Sequence, residues 1–137
     1  MANELLLDTG ALVSILDKSQ HGHKQFVKYF ESWSGEVVST EAVLTEATHL
    51  LGRVSGGTNA CLDFVLAEGA ILVPSTIGSL RRVRELIDQY NNLPMDFADA
   101  TLVAFAEELG TNLVFTTDNR DFSVYRIKGS KRFRVMP

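Results

Sequence analysis

Residues 4–12 read Glu4-Leu5-Leu6-Leu7-Asp8-Thr9-Gly10-Ala11-Leu12, ELLLDTGAL. Three leucines in a row are apolar on every side, the pattern of a strand covered on both faces. The run stops at an aspartate, and a helical pattern follows from Ala11. An acid at the tip of a buried strand either caps the next helix or belongs to a site. Near the other end of the chain, residues 113–118 read LVFTTD and repeat the arrangement: an apolar strand, then Asp118.

Between these two stretches strand and helix patterns alternate. Strands are expected at 5–8, 36–39, 70–74 and 113–116, with a last one at 133–136. Helices are expected at 11–16, 21–33, 40–51, 58–67, 77–90 and 96–109, the last stopped by Gly110. Residues 52–57 are a break and 91–94 a turn. In the helix over 40–51, Val43, Ala47 and Leu50 are expected to face inward. This alternation predicts an α/β domain with a mainly parallel sheet. In such sheets a site lies beyond the carboxyl ends of the strands, where the strand order reverses. That rule places Asp8 at a site.

The chain has 137 residues, 45% of them hydrophobic and 22% charged, which is the composition of one globular domain, residues 1–137. A single cysteine, Cys61, excludes an internal disulfide and a multi-cysteine metal site. The apolar runs are short and no basic region precedes a long apolar stretch, so neither a signal peptide nor a membrane span is expected. A reducing, cytoplasmic setting fits. Net charge is −4, against non-specific binding of nucleic acid, but the charge is uneven. Arg81, Arg82 and Arg84 cluster, and Arg126, Lys128, Lys131, Arg132 and Arg134 form a basic tail. Each group reads as a solvated face or as a contact for a polyanion.

The remaining acids divide by position. Glu46 falls on one side of its helix with Val43, Ala47 and Leu50, where a carboxylate is costly unless paired or metal-bound. Glu41 is a first-turn acid favoured by the helix dipole. Asp96 is placed as an N-cap, and Asp99, three residues on, shares a stripe with Val103 and Ala106. Asp99 is therefore the functional candidate and Asp96 the structural one. Glu107 and Glu108 are read as surface acids. Asp121 either caps a turn or is an outer member of an acidic group. Asp8, Glu46, Asp99 and Asp118 together would repel one another and raise one another's pKa. A hard divalent cation, Mg²⁺ or Mn²⁺, removes that repulsion and serves phosphoryl chemistry.

Four stretches in this order, LLLDTGAL, STEAVLTEATHLL, DFADATLVAFAEELG and VFTTDNRDF, resemble the PIN-domain ribonucleases, most of all the single-domain group that includes VapC-type toxins. The resemblance covers nearly the whole chain. It implies a three-layer α/β/α fold, strand order 3-2-1-4-5, and Mg²⁺- or Mn²⁺-dependent cleavage of RNA. Asp8, Glu46, Asp99 and Asp118 match the family's acids, as both metal ligands and catalytic residues. Thr116 matches the small hydroxyl residue two before the last acid, Thr9 fills the polar position after the first, and Asp121 adds an outer carboxylate. Arg81, Arg82, Arg84, Lys128 and Arg132 are candidates for holding the RNA backbone. An antitoxin protein and a second copy of the chain are the implied partners, with Phe26, Phe30 and Trp33 a candidate dimer stripe.

Other residues carry less. His21 and His23 do not share a helix face, and His49 stands alone. Cys61 lies on an apolar side with Phe64 and Val65 and reads as a core thiol. A phosphorelay receiver would need an aspartate after the third strand, where the chain has Val73-Pro74-Ser75. A catalytically idle PIN-like binding module remains the alternative to the nuclease.

Overall fold

The leucine run is the centre of the sheet. In the computed structural model, which describes residues 3–137, it forms β1 (Glu4–Leu7). This strand is flanked by β2 (Glu36–Thr40) and β4 (Leu113–Phe115), both parallel to it. Outside these lie β3 (Ile71–Val73), on β2, and β7 (Arg134–Met136), on β4, again parallel. The order is β3-β2-β1-β4-β7. It agrees with the expected 3-2-1-4-5, the fifth strand of the sheet being the seventh of the chain. The two extra strands, β5 (Arg126–Ile127) and β6 (Lys131–Arg132), form a short antiparallel hairpin within the basic tail.

Successive side chains of a strand point to opposite faces, so β1 feeds two cores. Leu6 joins Val38 and Val114 beneath α5 (Ile77–Gln89), α6 (Phe97–Leu109) and α7 (Asn119–Val124). Leu5 and Leu7 join Val37 and Phe115 beneath α1 (Thr9–Leu16), α2 (His23–Ser32) and α4 (Gly57–Leu66). The helix α3 (Glu41–Leu51) serves both cores, through Val43 on one side and Ala47 and Leu51 on the other. Leu50 is not inward as expected; it is 38% exposed. The buried row is Val43-Ala47-Leu51, the four-residue ridge, and Leu50 lies off it.

Helix α6 is buried on nearly every side, from Ala98 and Ala100 through Ala106. Its sequence therefore carries little amphipathic signal, and the stripe through Asp99, Val103 and Ala106 is only part of its buried surface. Asp96 caps it, accepting from the Asp99 amide at 2.8 Å, and Gly110 ends it with a φ of 75°. The stripe of Phe26, Phe30 and Trp33 packs internally: Phe26 stacks on Phe115 at 5.0 Å, Phe30 meets Phe64 at 5.3 Å, and Trp33 meets Tyr29 at 6.4 Å. Cys61 is buried in the same core. Among the described residues no helix is long and apolar enough to cross a membrane.

Candidate active site

The strand order reverses between β1 and β4, so the crevice at their carboxyl ends is where an open parallel sheet binds ligands. Asp8 leaves β1 at this point, and Thr116 and Asp118 leave β4. Asp8 occupies the N-cap position of α1 without making a side-chain capping bond. Its carboxylate turns across the sheet instead, and Oδ2 accepts from the Thr116 hydroxyl at 2.6 Å. The same Thr116 oxygen accepts from the Asp118 amide at 2.9 Å, so one threonine fixes the geometry of both strand ends. Asp118 caps α7, accepting through Oδ1 from the Asp121 amide at 3.0 Å.

The other two acids come from helices. Thr9, at the start of α1, donates to Glu46 Oε1 of α3 at 2.5 Å. Asp99, in the first turn of α6, accepts through Oδ2 from the Tyr125 hydroxyl at 3.0 Å. Each of the four acids thus has one oxygen held by a neutral donor of the fold. None of them is ion-paired to a lysine or arginine among the described residues. Helix positions are themselves tied: Thr101 of α6 donates to Ala98 O at 2.7 Å, leaving its oxygen to accept from Thr40, the N-cap of α3, at 2.8 Å.

The electrostatics follow from burial and crowding. Burial is the largest cause pushing the Asp8 carboxyl up to about 6, and Glu46 and Asp118 add to it against the hydrogen bonds from Thr116 and Thr9. Burial likewise lifts Asp99 to about 7, with Asp96 and Asp8 as the charged neighbours. Asp121 is raised by burial and then by Asp118. Burial and the nearby Asp99 together push the Tyr125 phenol up, so it donates to Asp99 as a neutral hydroxyl. Among the described residues no three acidic, imidazole or thiol groups are already drawn in around one point. The donor set nevertheless fits a hard divalent cation. Partly buried carboxylates oriented by neutral donors and without a cationic partner suit such an ion.

The basic candidates sit differently. Arg82 donates to both oxygens of Glu107, at 2.7 and 3.0 Å, and bridges Glu85 at 3.1 Å. The backbone amide of Lys128 also donates to Glu107, at 2.7 Å. Glu107 is eight residues along α6 from Asp99, about 12 Å at 1.5 Å per residue. These contacts place Arg82 and the Lys128 backbone at the far end of the helix from the acids. They also correct the reading of Glu107, whose side chain is 9% exposed and which is a structural anchor. Arg84 pairs with Asp88 at 2.6 Å. Arg81 and Arg132 are exposed on α5 and β6.

Tyr125 was not singled out from the sequence. Its signal was there: Phe122 and Tyr125 stand three apart after Asp118, and a buried tyrosine hydroxyl usually finds a partner.

A family model described as PIN domain matches residues 5–128. The chain belongs to the PIN domain family. Among curated proteins, Ribonuclease VapC26 of Mycobacterium tuberculosis is 27% identical to this PIN domain over 135 residues, covering 97% of this chain and all of that one. Among solved structures, VapC20 of Mycobacterium tuberculosis, described as a sarcin-ricin loop cleaving toxin, aligns with a TM-score of 0.75 and 19% identity. That alignment covers 85% of this chain and 91% of the other. VapBC2 of Rickettsia felis, bound to a DNA fragment from its promoter, aligns with a TM-score of 0.68 and 12% identity over 98% and 99% of the two chains. A toxin–antitoxin complex from Klebsiella pneumoniae aligns with a TM-score of 0.67 and 15% identity over 97% and 96%.

Proposed function

We propose that this PIN domain is a divalent-metal-dependent endoribonuclease that hydrolyses RNA phosphodiester bonds, the cytoplasmic toxin of a toxin–antitoxin pair. The observation that carries the reading is the set of four unpaired acids at the sheet's switch point, each oriented through one oxygen by Thr116, Thr9, Tyr125 or the Asp121 amide. Asp8, Glu46, Asp99 and Asp118 would hold Mg²⁺ or Mn²⁺. When bound, such a cation would polarise a phosphate and lower the pKa of water, supplying the hydroxide that attacks phosphorus.

The rest is done by the chain. Thr116 keeps Asp8 and the Asp118 turn in one register across the β1–β4 gap. Tyr125 holds Oδ2 of Asp99. Thr9 draws Glu46 toward the tip of β1. Asp121 adds negative charge beside Asp118 and strengthens the site's preference for cations. The names of the relatives support RNA as substrate and an antitoxin as partner, since they describe a ribonuclease, a sarcin-ricin loop cleaving toxin and a toxin–antitoxin complex. A second copy of the chain is the further partner we propose.

The test is cleavage of a mixed pool of structured and single-stranded RNAs with Mg²⁺, with Mn²⁺ and with EDTA. Asp99→Asn and Asp8→Asn are each expected to reduce metal-dependent cleavage by at least about a hundredfold, with the circular dichroism spectrum unchanged. Cleavage retained in both variants would overturn the assignment of the acids. Cleavage absent in every condition, with wild-type protein folded, would favour an idle binding module.

A further inference from the structure

Beside the acids lies a groove of about 720 Å³, bounded by α1, the start of α2, the end of α3 and the loop after β4. We propose that this groove seats single-stranded RNA on one side of the scissile phosphate, with Arg53 as its phosphate contact; the assignment rests on the nuclease reading of the neighbouring acids. Continuity comes first. Thr116, whose hydroxyl donates to Asp8, also lines the groove, so the groove adjoins the acids although none of the four lines it.

The lining is suited to a nucleotide. Val13 and Phe26 supply apolar surface, and Gln25 and Asn119 supply amides able to pair with base edges. Its volume falls within the roughly 300–1,000 Å³ of small-ligand pockets. Charge agrees as well. Arg53 lines the groove and is in no ion pair among the described residues, whereas Arg82 and Arg84 are engaged by acids. One side-chain carboxylate, Asp17, lies in the lining, which Pro137 also joins, and the Asp17 oxygens accept from the Ser19 amide, the Ser19 hydroxyl and the Gln20 side chain at 2.7–3.0 Å. Those donors lower its pKa and keep it ionised, which leaves Arg53 as the lining's arginine to hold the phosphate. Base recognition of this kind needs an unpaired strand, because the edges are hidden in a duplex.

The experiment is photo-crosslinking of an unstructured oligoribonucleotide of mixed sequence carrying one internal thiouridine. It is irradiated with the full chain in EDTA, and adducts are mapped by mass spectrometry. The expected adducts fall on residues 20–26 or 117–119. Their yield should drop about tenfold in Arg53→Glu and change less than about twofold in Arg81→Glu. Adducts on α5 or the β5–β6 hairpin, no adducts, or equal labelling of wild type and Arg53→Glu would overturn the proposal and leave the groove to a protein partner. Mn²⁺ added to the same oligonucleotide reports separately on the chemistry. Cleavage without groove adducts removes the groove alone; groove adducts without cleavage remove the nuclease and leave an RNA-binding site.

Discussion

At the scale of single residues, the chemistry we propose falls first on Asp8 and Asp99. Both are raised from 3.8, to about 6 and about 7, chiefly because burial penalises their charge. An acid raised on folding binds its proton more tightly in the native state than in the unfolded chain. Native stability therefore falls as pH rises from near the unfolded value through the folded one. The metal-free chain is expected to melt at a lower temperature at about pH 8 than at about pH 5.5 on this account. Asp99→Asn should flatten that slope, because the amide has no charge to bury. Thermal melts of both proteins in EDTA check it; an equal slope in the variant would mean that Asp99 is not buried against its charge. Mn²⁺ should raise the melting temperature of wild type more at the higher pH, where its ligands are ionised.

Two elements set the geometry that these residues need. The loop after β4 lies directly on the start of α1, where a Cβ on Gly10 would meet the Thr117 side chain and force its hydroxyl to move. Gly10→Ala should therefore cost about 1–3 kcal/mol and shift the loop carrying Thr116 and Asp118, lowering cleavage. Thr117→Ala in the same chain removes the obstructing oxygen and should restore both, measured by denaturation and by rate. No recovery would place the role of Gly10 elsewhere. At the other end of α6, Arg82→Ala strips Glu107 of its partner. It should lower stability by about 1–2 kcal/mol while leaving KM for RNA within about twofold. A large rise in KM would return Arg82 to the RNA interface. These elements also show what sequence reveals. The strand-tip acids were legible because a strand buried on both faces is uniformly apolar and stops visibly at a carboxylate. Asp96 as cap and Gly110 as stop were legible because both act locally. The partners of Arg82 and Asp99 were not: Glu107 is 25 residues from Arg82, and Tyr125 is 26 from Asp99. The groove around Arg53 is likewise assembled from five separate parts of the chain, residues 10–17, 20–26, 50–54, 116–119 and Pro137.

For the whole molecule, a parallel sheet covered on both faces leaves only the carboxyl edge of its strands free to bear a site. The β3-β2-β1-β4-β7 order opens that edge between β1 and β4. The order itself came from the family resemblance, since alternation alone fixes the class of sheet and not the sequence of its strands. The acids, the hydroxyls that orient them and the groove all gather at this opening, while the Arg82–Glu107 anchor lies behind it. The central claim is that the four acids act together as ligands of one metal site. Its most direct measurement is calorimetric titration of Mn²⁺ into wild type, Asp8→Asn and Asp99→Asn at about pH 8, with each protein assayed for RNA cleavage at the same metal concentrations. Saturable binding by wild type is expected, with affinity at least about tenfold weaker in each variant and cleavage that tracks occupancy. Equal Mn²⁺ affinity in all three proteins, or cleavage that persists in EDTA, would contradict it.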